Sequence, residues 1–117
     1  MSLPAVFHDA AGVEVDDAAD YYDLESPGLG TAFIDEVARV IAQLEKYPES
    51  AAPLHRNVRK APLAKFPYSL LYSVKKDCIR ILAVAHQRRR PFYWRGRSYS
   101  SGEGLTSAST CQTGREM

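Results

Sequence analysis

The segment from His86 to Arg97, HQRRRPFYWRGR, is where chemistry is densest. Between Arg88 and Arg97 it sets five arginines around Phe92, Tyr93 and Trp94. Arg, Tyr and Trp are the side chains that most often anchor protein interfaces. The same mixture suits nucleic acid, where guanidinium groups meet phosphates and rings stack on bases. His86 and Tyr93 add groups able to exchange protons, and an unperturbed imidazole titrates near neutrality. Each has a plainer reading. His86 would then steady a strand end by hydrogen bonds, while Phe92 and Trp94 would pack that end onto the rest of the domain.

The elements that must hold this segment follow from periodicity. Residues 4–8 suit a short strand. Asp9 offers an N-cap, and Ala11, Val15, Ala18, Ala19 and Tyr22 then repeat at helical spacing, so a helix is expected over about 10–25. Ser26-Pro27-Gly28 breaks the chain. Leu29, Phe33, Val37, Val40, Ile41 and Leu44 form a second apolar stripe over about 28–47, which Pro48 ends. So short a link makes the two helices an antiparallel hairpin. Residues 49–56, with Pro53, read as a loop. Residues 58–63 and 68–74 read as strands. After the polar break Lys75-Lys76-Asp77, the run CIRILAVAH at 78–86 reads as a central strand. Its alternation puts Ile79, Ile81, Ala83 and Ala85 on one face, with Leu82 and Val84 on the other. The fold class is α+β in the order β-α-α-β-β-β, a helical hairpin on a small antiparallel-rich sheet.

Composition sets the outer limits. The chain has 117 residues, 45% hydrophobic and 25% charged, which suits one globular domain. The expected division is a domain over 1–97 and a disordered Ser/Thr/Gly-rich tail over 98–117. The apolar runs are too short to span a bilayer, and the first ten residues lack the basic start and apolar core of a signal peptide. Cys78 and Cys111 lie far apart without a metal-type cluster, so neither a disulfide framework nor a zinc site is expected. The net charge of +1 conceals a split: residues 1–50 balance at −9 and residues 51–100 at +11. A basic face able to meet a polyanion or an acidic protein is one consequence; mutual neutralisation across the folded surface is the other.

Several stretches are distinctive together: YYD at 21–23, PGLG at 27–30 with Phe33, VRKAPLAKFPYSLLYSV at 58–74, and ILAVAHQRRRPFYWRGR at 81–97. With them the chain resembles the RelE/ParE superfamily of toxins from type II toxin–antitoxin modules, in particular the ParE-like, plasmid-stabilisation branch. The resemblance covers about residues 5–97. It implies a cytoplasmic bacterial or archaeal protein, a cognate antitoxin and no membrane. In members resembling ParE the toxin inhibits DNA gyrase by binding, without catalytic residues or a cofactor. The surface expected to meet the target is then Arg88, Arg89, Arg90, Tyr93, Trp94 and Arg97. Arg56, Arg59, Lys60 and Arg80 are expected to meet an acidic antitoxin. In members resembling RelE the toxin cleaves mRNA on the ribosome without a metal. That chemistry needs a base, an acid and cations around the scissile phosphate; His86, Tyr93, Arg59, Lys65 and Arg89 are the candidates. A third possibility is a non-toxic member that only binds its antitoxin and helps repress the operon.

Overall fold

The computed structural model describes residues 3–89 and 93–94. In chain order its elements are β1 (Ala5–Phe7), α1 (Asp9–Glu25), α2 (Leu29–Lys46), β2 (Ala52–His55), β3 (Val58–Pro62), β4 (Tyr68–Val74) and β5 (Ile79–His86). The strands form one mixed sheet in the order β1-β5-β4-β3-β2. β1 runs parallel to β5, and every other pairing is antiparallel. The α1–α2 hairpin covers one face. Arg90, Arg97 and the tail expected over 98–117 lie outside the described residues.

The PGLG motif builds the hairpin corner. Gly28 precedes α2 at φ 89°, in the left-handed region that an L side chain resists. Gly30 lets the two helices cross closely: a Cβ there would collide with the Ala19 carbonyl oxygen and stand 2.7 Å from the Asp23 carboxyl group. The Gly30 N–H instead donates to Asp23 Oδ1 at 2.8 Å. At the start of α1 the cap is His8, not the expected Asp9. His8 keeps extended backbone angles, and its Nδ1 accepts from the Ala10 N–H at 3.0 Å.

The loop expected over 49–56 contains a strand instead. β2 lies at the sheet edge and is irregular between Pro53 and His55. An edge strand needs ladder hydrogen bonds on one side only, so it tolerates a proline that a central strand would reject. At the opposite edge α2 shields β1. The Ala5 N–H donates to Glu45 Oε2 at 2.8 Å, and the Leu3 N–H to the Glu45 carbonyl at 3.0 Å.

The expected faces of β5 hold only in its first half. Tyr72 pairs with Ile81 and Leu71 with Ala83, so Leu82 is an extra residue, a β-bulge. Ile79, Ile81 and Val84 enter the helix-side core, whereas Leu82 and Ala83 enter a second cluster on the open face. Strict alternation had assigned Ala83 and Ala85 to the side of Ile79, and Val84 to that of Leu82. The bulge reverses those assignments. Cys78 is fully buried immediately before β5, whereas Cys111 lies outside the described residues.

The helix-side core is aromatic at its centre. The Phe33 ring centroid lies 5.4 Å from that of Tyr22, 5.2 Å from Phe66 and 5.2 Å from Tyr68. The "FPY" motif thus begins a core strand, as its plainer reading requires. Of the tyrosine pair Tyr21-Tyr22, only the second packs inward; Tyr21 stays exposed.

Candidate functional site

The open face of the sheet ends in a cavity of about 190 Å³. β3 contributes Lys60 and β4 contributes Ser69 and Leu71. The end of β5 supplies Ala85 and His86, and the turn beyond it supplies Gln87 and Arg89. Tyr93 and Trp94 close the wall, with Leu54 of β2 at the rim. Register explains the assembly, because Lys60 pairs with Leu71, Leu71 with Ala83 and Ser69 with Ala85. Lys60, Gln87 and Arg89 are exposed, Ser69 and Trp94 are buried, and His86 and Tyr93 are half-buried. The site is therefore a cationic rim above an apolar and aromatic wall.

Each polar ring has a defined environment. His86 Nδ1 accepts from the Arg88 N–H at 3.0 Å, so a neutral ring carries its proton on Nε2. Its imidazole meets the Tyr68 ring edge-on at 5.0 Å. Burial, with the neighbouring Tyr21 adding to it, raises the Tyr68 phenol above its ordinary pKa; nearby Arg89 opposes that rise. Tyr93 donates its hydroxyl to Glu14 Oε2 at 2.9 Å. The Arg89 guanidinium carbon stands 3.9 Å from the Tyr93 ring centroid, a cation–π contact. Trp94 packs with Val58, Leu71, Leu82 and Ala83, and its indole lies 6.5 Å from the His55 ring. Its role is thus the core-anchoring one, at the back of the cavity.

Of the residues singled out from sequence, Lys60, His86, Arg89, Tyr93 and Trp94 line this cavity, His86 from the strand end, where it pairs with Tyr68 and its imidazole packs on that helix-side ring. The structure separates the others. Arg59 projects to the helix side, where its Nη1 donates to the carbonyl oxygens of Ala51 at 2.7 Å and Glu49 at 3.3 Å. Lys65 lies in a different cleft with Glu36, Arg39 and Phe66. Arg80 shares the open face, but pairs with Ser73, two rows from Ser69. Arg56 is exposed in the β2–β3 turn at φ 49°. Arg88 is exposed beside Arg89, on the turn that leaves β5. The four residues expected to contact the antitoxin therefore do not form one patch.

Sequence reasoning missed Glu14, Ser69 and Gln87. Glu14 had a readable signal. It stands three residues after Ala11 and four before Ala18, both buried, which carries its carboxylate toward the packed side of α1. Among the described residues no group of three His, Cys, Asp or Glu side chains could hold a metal ion, and no helix is long and apolar enough to cross a membrane.

Comparison with known proteins agrees with this architecture. A solved structure described as the chromosomal ParDE TA system from P. aeruginosa superposes with a TM-score of 0.65, at 19% identity, over 73% of this chain and 96% of that chain. Likeness at that identity concerns the fold. No curated protein matches the chain. The model of the family described as the ParE toxin of the type II toxin–antitoxin system, parDE, matches residues 5–91, from the first strand to beyond the last. The chain belongs to the ParE toxin family of type II toxin–antitoxin systems.

Proposed function

We propose that this chain is a growth-inhibiting toxin that acts in the cytoplasm by binding DNA gyrase through the open-face site, within a plasmid-stabilisation type of module. A cognate antitoxin, acidic where it meets the basic rim, neutralises it. One observation supports the binding mode over a catalytic one: the hydroxyl of Tyr93, a candidate proton-transfer group, is committed to a structural bond, and the His86 ring is oriented by the backbone. The Tyr93 hydroxyl donates to Glu14, and His86 Nδ1 accepts a backbone N–H. An exposed cationic rim over aromatic side chains is what a protein-binding site needs.

A specific feature favours a second reading. Lys60, His86, Arg89 and Tyr93 surround one cavity, and a metal-independent endoribonuclease would require such a set. Against it, Arg59 and Lys65, two of the cations that chemistry was expected to use, are directed elsewhere. Induction of the toxin alone in a bacterial host separates the readings. Gyrase inhibition predicts a DNA-damage response that precedes any fall in translation. Translation arrest within minutes, with cleaved mRNA, favours the nuclease. Growth unaffected in the presence of folded protein favours the antitoxin-binding co-repressor.

A further inference from the structure

β1 is short, and this leaves a problem along one edge of the central strand. It pairs with β5 only from Ile79 to Ile81. The chain then turns into α1, and the His8 N–H makes one more bond to the Ile81 carbonyl at 2.9 Å. Past that point β5 has no strand beside it on this edge among the described residues, yet Val84 is almost fully buried. A buried backbone N–H without a partner is costly. Glu14 supplies the partner: its Oε1 accepts from the Val84 N–H at 2.9 Å. Its second oxygen, Oε2, accepts from the Tyr93 hydroxyl at 2.9 Å.

One carboxylate thus joins three parts of the chain: the first helix, the uncovered edge of the central strand, and the segment that follows that strand. What it holds is the wall of the open-face site. Arg89 rests on the Tyr93 ring, and the next residue, Trp94, fills the cluster behind it. We infer that Glu14 is a positioning residue for that site, presetting the Arg89–Tyr93–Trp94 arrangement from the opposite side of the strand. The inference rests on the reading of this face as the target-binding surface, and it assigns to an acidic helix residue the geometry of a basic site.

Trp94, the only tryptophan of the chain, reports on this arrangement without any target present. The test uses the full-length protein with Glu14→Ala, Glu14→Gln and Tyr93→Phe, each checked for folding by circular dichroism. Acrylamide quenching and the emission maximum of Trp94 are measured, followed by affinity for purified gyrase. Glu14→Ala is expected to shift Trp94 emission to the red, increase quenching and lower gyrase affinity about tenfold, the loss of hydrogen bonds to a charged acceptor. Glu14→Gln keeps an oxygen for the Val84 N–H and an amide for the Tyr93 oxygen, so it should restore both readouts. Tyr93→Phe should move Trp94 in the same direction, with an affinity loss of only a few-fold. Unchanged Trp94 quenching in folded Glu14→Ala overturns the inference. If Glu14→Ala does not fold, unchanged quenching in Tyr93→Phe overturns it. The target reading fails by a different result: Arg89→Ala binding gyrase as the parent does, whatever Trp94 reports.

Discussion

The two faces of the sheet solve the same problem in different ways. The helix-side face is covered by α1 and α2, and Phe33, Leu70, Tyr72, Ile79 and Ile81 are wholly buried there. The open face has no helix over it among the described residues. Its smaller cluster, Val58, Leu71, Leu82, Ala83 and Trp94, draws its cover from a residue beyond the last strand. One layer is closed by regular elements, whose apolar stripes are long. The other is closed by a short segment and bordered by cations. Stability should therefore be concentrated on the first face and recognition on the second, although the two share every strand between them.

The largest expected effect tests the first half of that contrast. Phe33→Ala removes the ring at the centre of the aromatic cluster and should cost about 3–5 kcal/mol of stability. Thermal or denaturant unfolding measures it. A loss below about 1 kcal/mol, at the level of a surface substitution, would contradict the division of labour.

Gly30→Ala tests the hairpin that covers this face. The added methyl meets the Ala19 backbone and the Asp23 carboxyl, so the helices must separate, and overpacking of this kind costs about 1–3 kcal/mol. Gly12→Ala makes a useful control, since a Cβ there meets nothing within 4 Å. It should be neutral or slightly stabilising, because alanine suits a helix better than glycine.

Arg89→Ala tests the second half. Arg89 is exposed, so stability should change by no more than about 0.5 kcal/mol. Target affinity should fall about 30-fold, corresponding to one hot-spot side chain of about 2 kcal/mol. Calorimetry on the toxin and binding to purified gyrase read the two sides separately. A large fall in stability with little change in binding would reverse the assignment of the faces.

The smallest effect concerns pH. Arg39, foremost, and the Ala64 N–H hold the Glu36 carboxyl well below its ordinary value, at about 2. A carboxyl depressed in the fold stabilises it above its unfolded pKa of about 4.5. That contribution is lost as pH falls from there toward 2. The advantage of the parent protein over Glu36→Gln should accordingly be present at pH 6 and shrink below pH 4.5. Melting temperatures across that range check it, and a difference independent of pH would contradict the stated cause.

How much of this was legible beforehand varies with the length over which a pattern acts. α1, α2, β4 and β5 could be read from the sequence because their apolar residues repeat through many turns or several strand pairs. β2 was not, because Pro53 is a breaker everywhere except at a sheet edge, and edge position is a property of the whole sheet. The faces of β5 were misassigned because one inserted residue, Leu82, resets the alternation without altering the composition of the strand. At the site, the Arg-rich turn and its aromatic residues were visible as a cluster in sequence. That Lys60 joins them while Arg59 turns away follows from strand parity, once the register of β3 is known. Glu14 was harder: 70 and 79 positions separate it from its two partners, and only its place on the packed side of α1 hinted at a buried role.

The most direct test of the proposed binding mode is colony formation after induction of a His86→Gln variant, with its fold verified by circular dichroism. His86 is the better probe because Tyr93 also has a part in holding the site wall. If the toxin acts by binding, no proton passes through the imidazole, and His86→Gln should arrest growth nearly as well as the parent does. If it acts by cleaving RNA, loss of a general acid or base should lower the rate by about 10²–10⁴-fold, and growth should be rescued. Arrest by the folded variant is the predicted result; rescue of growth by it would contradict the account and favour ribosome-dependent cleavage of mRNA.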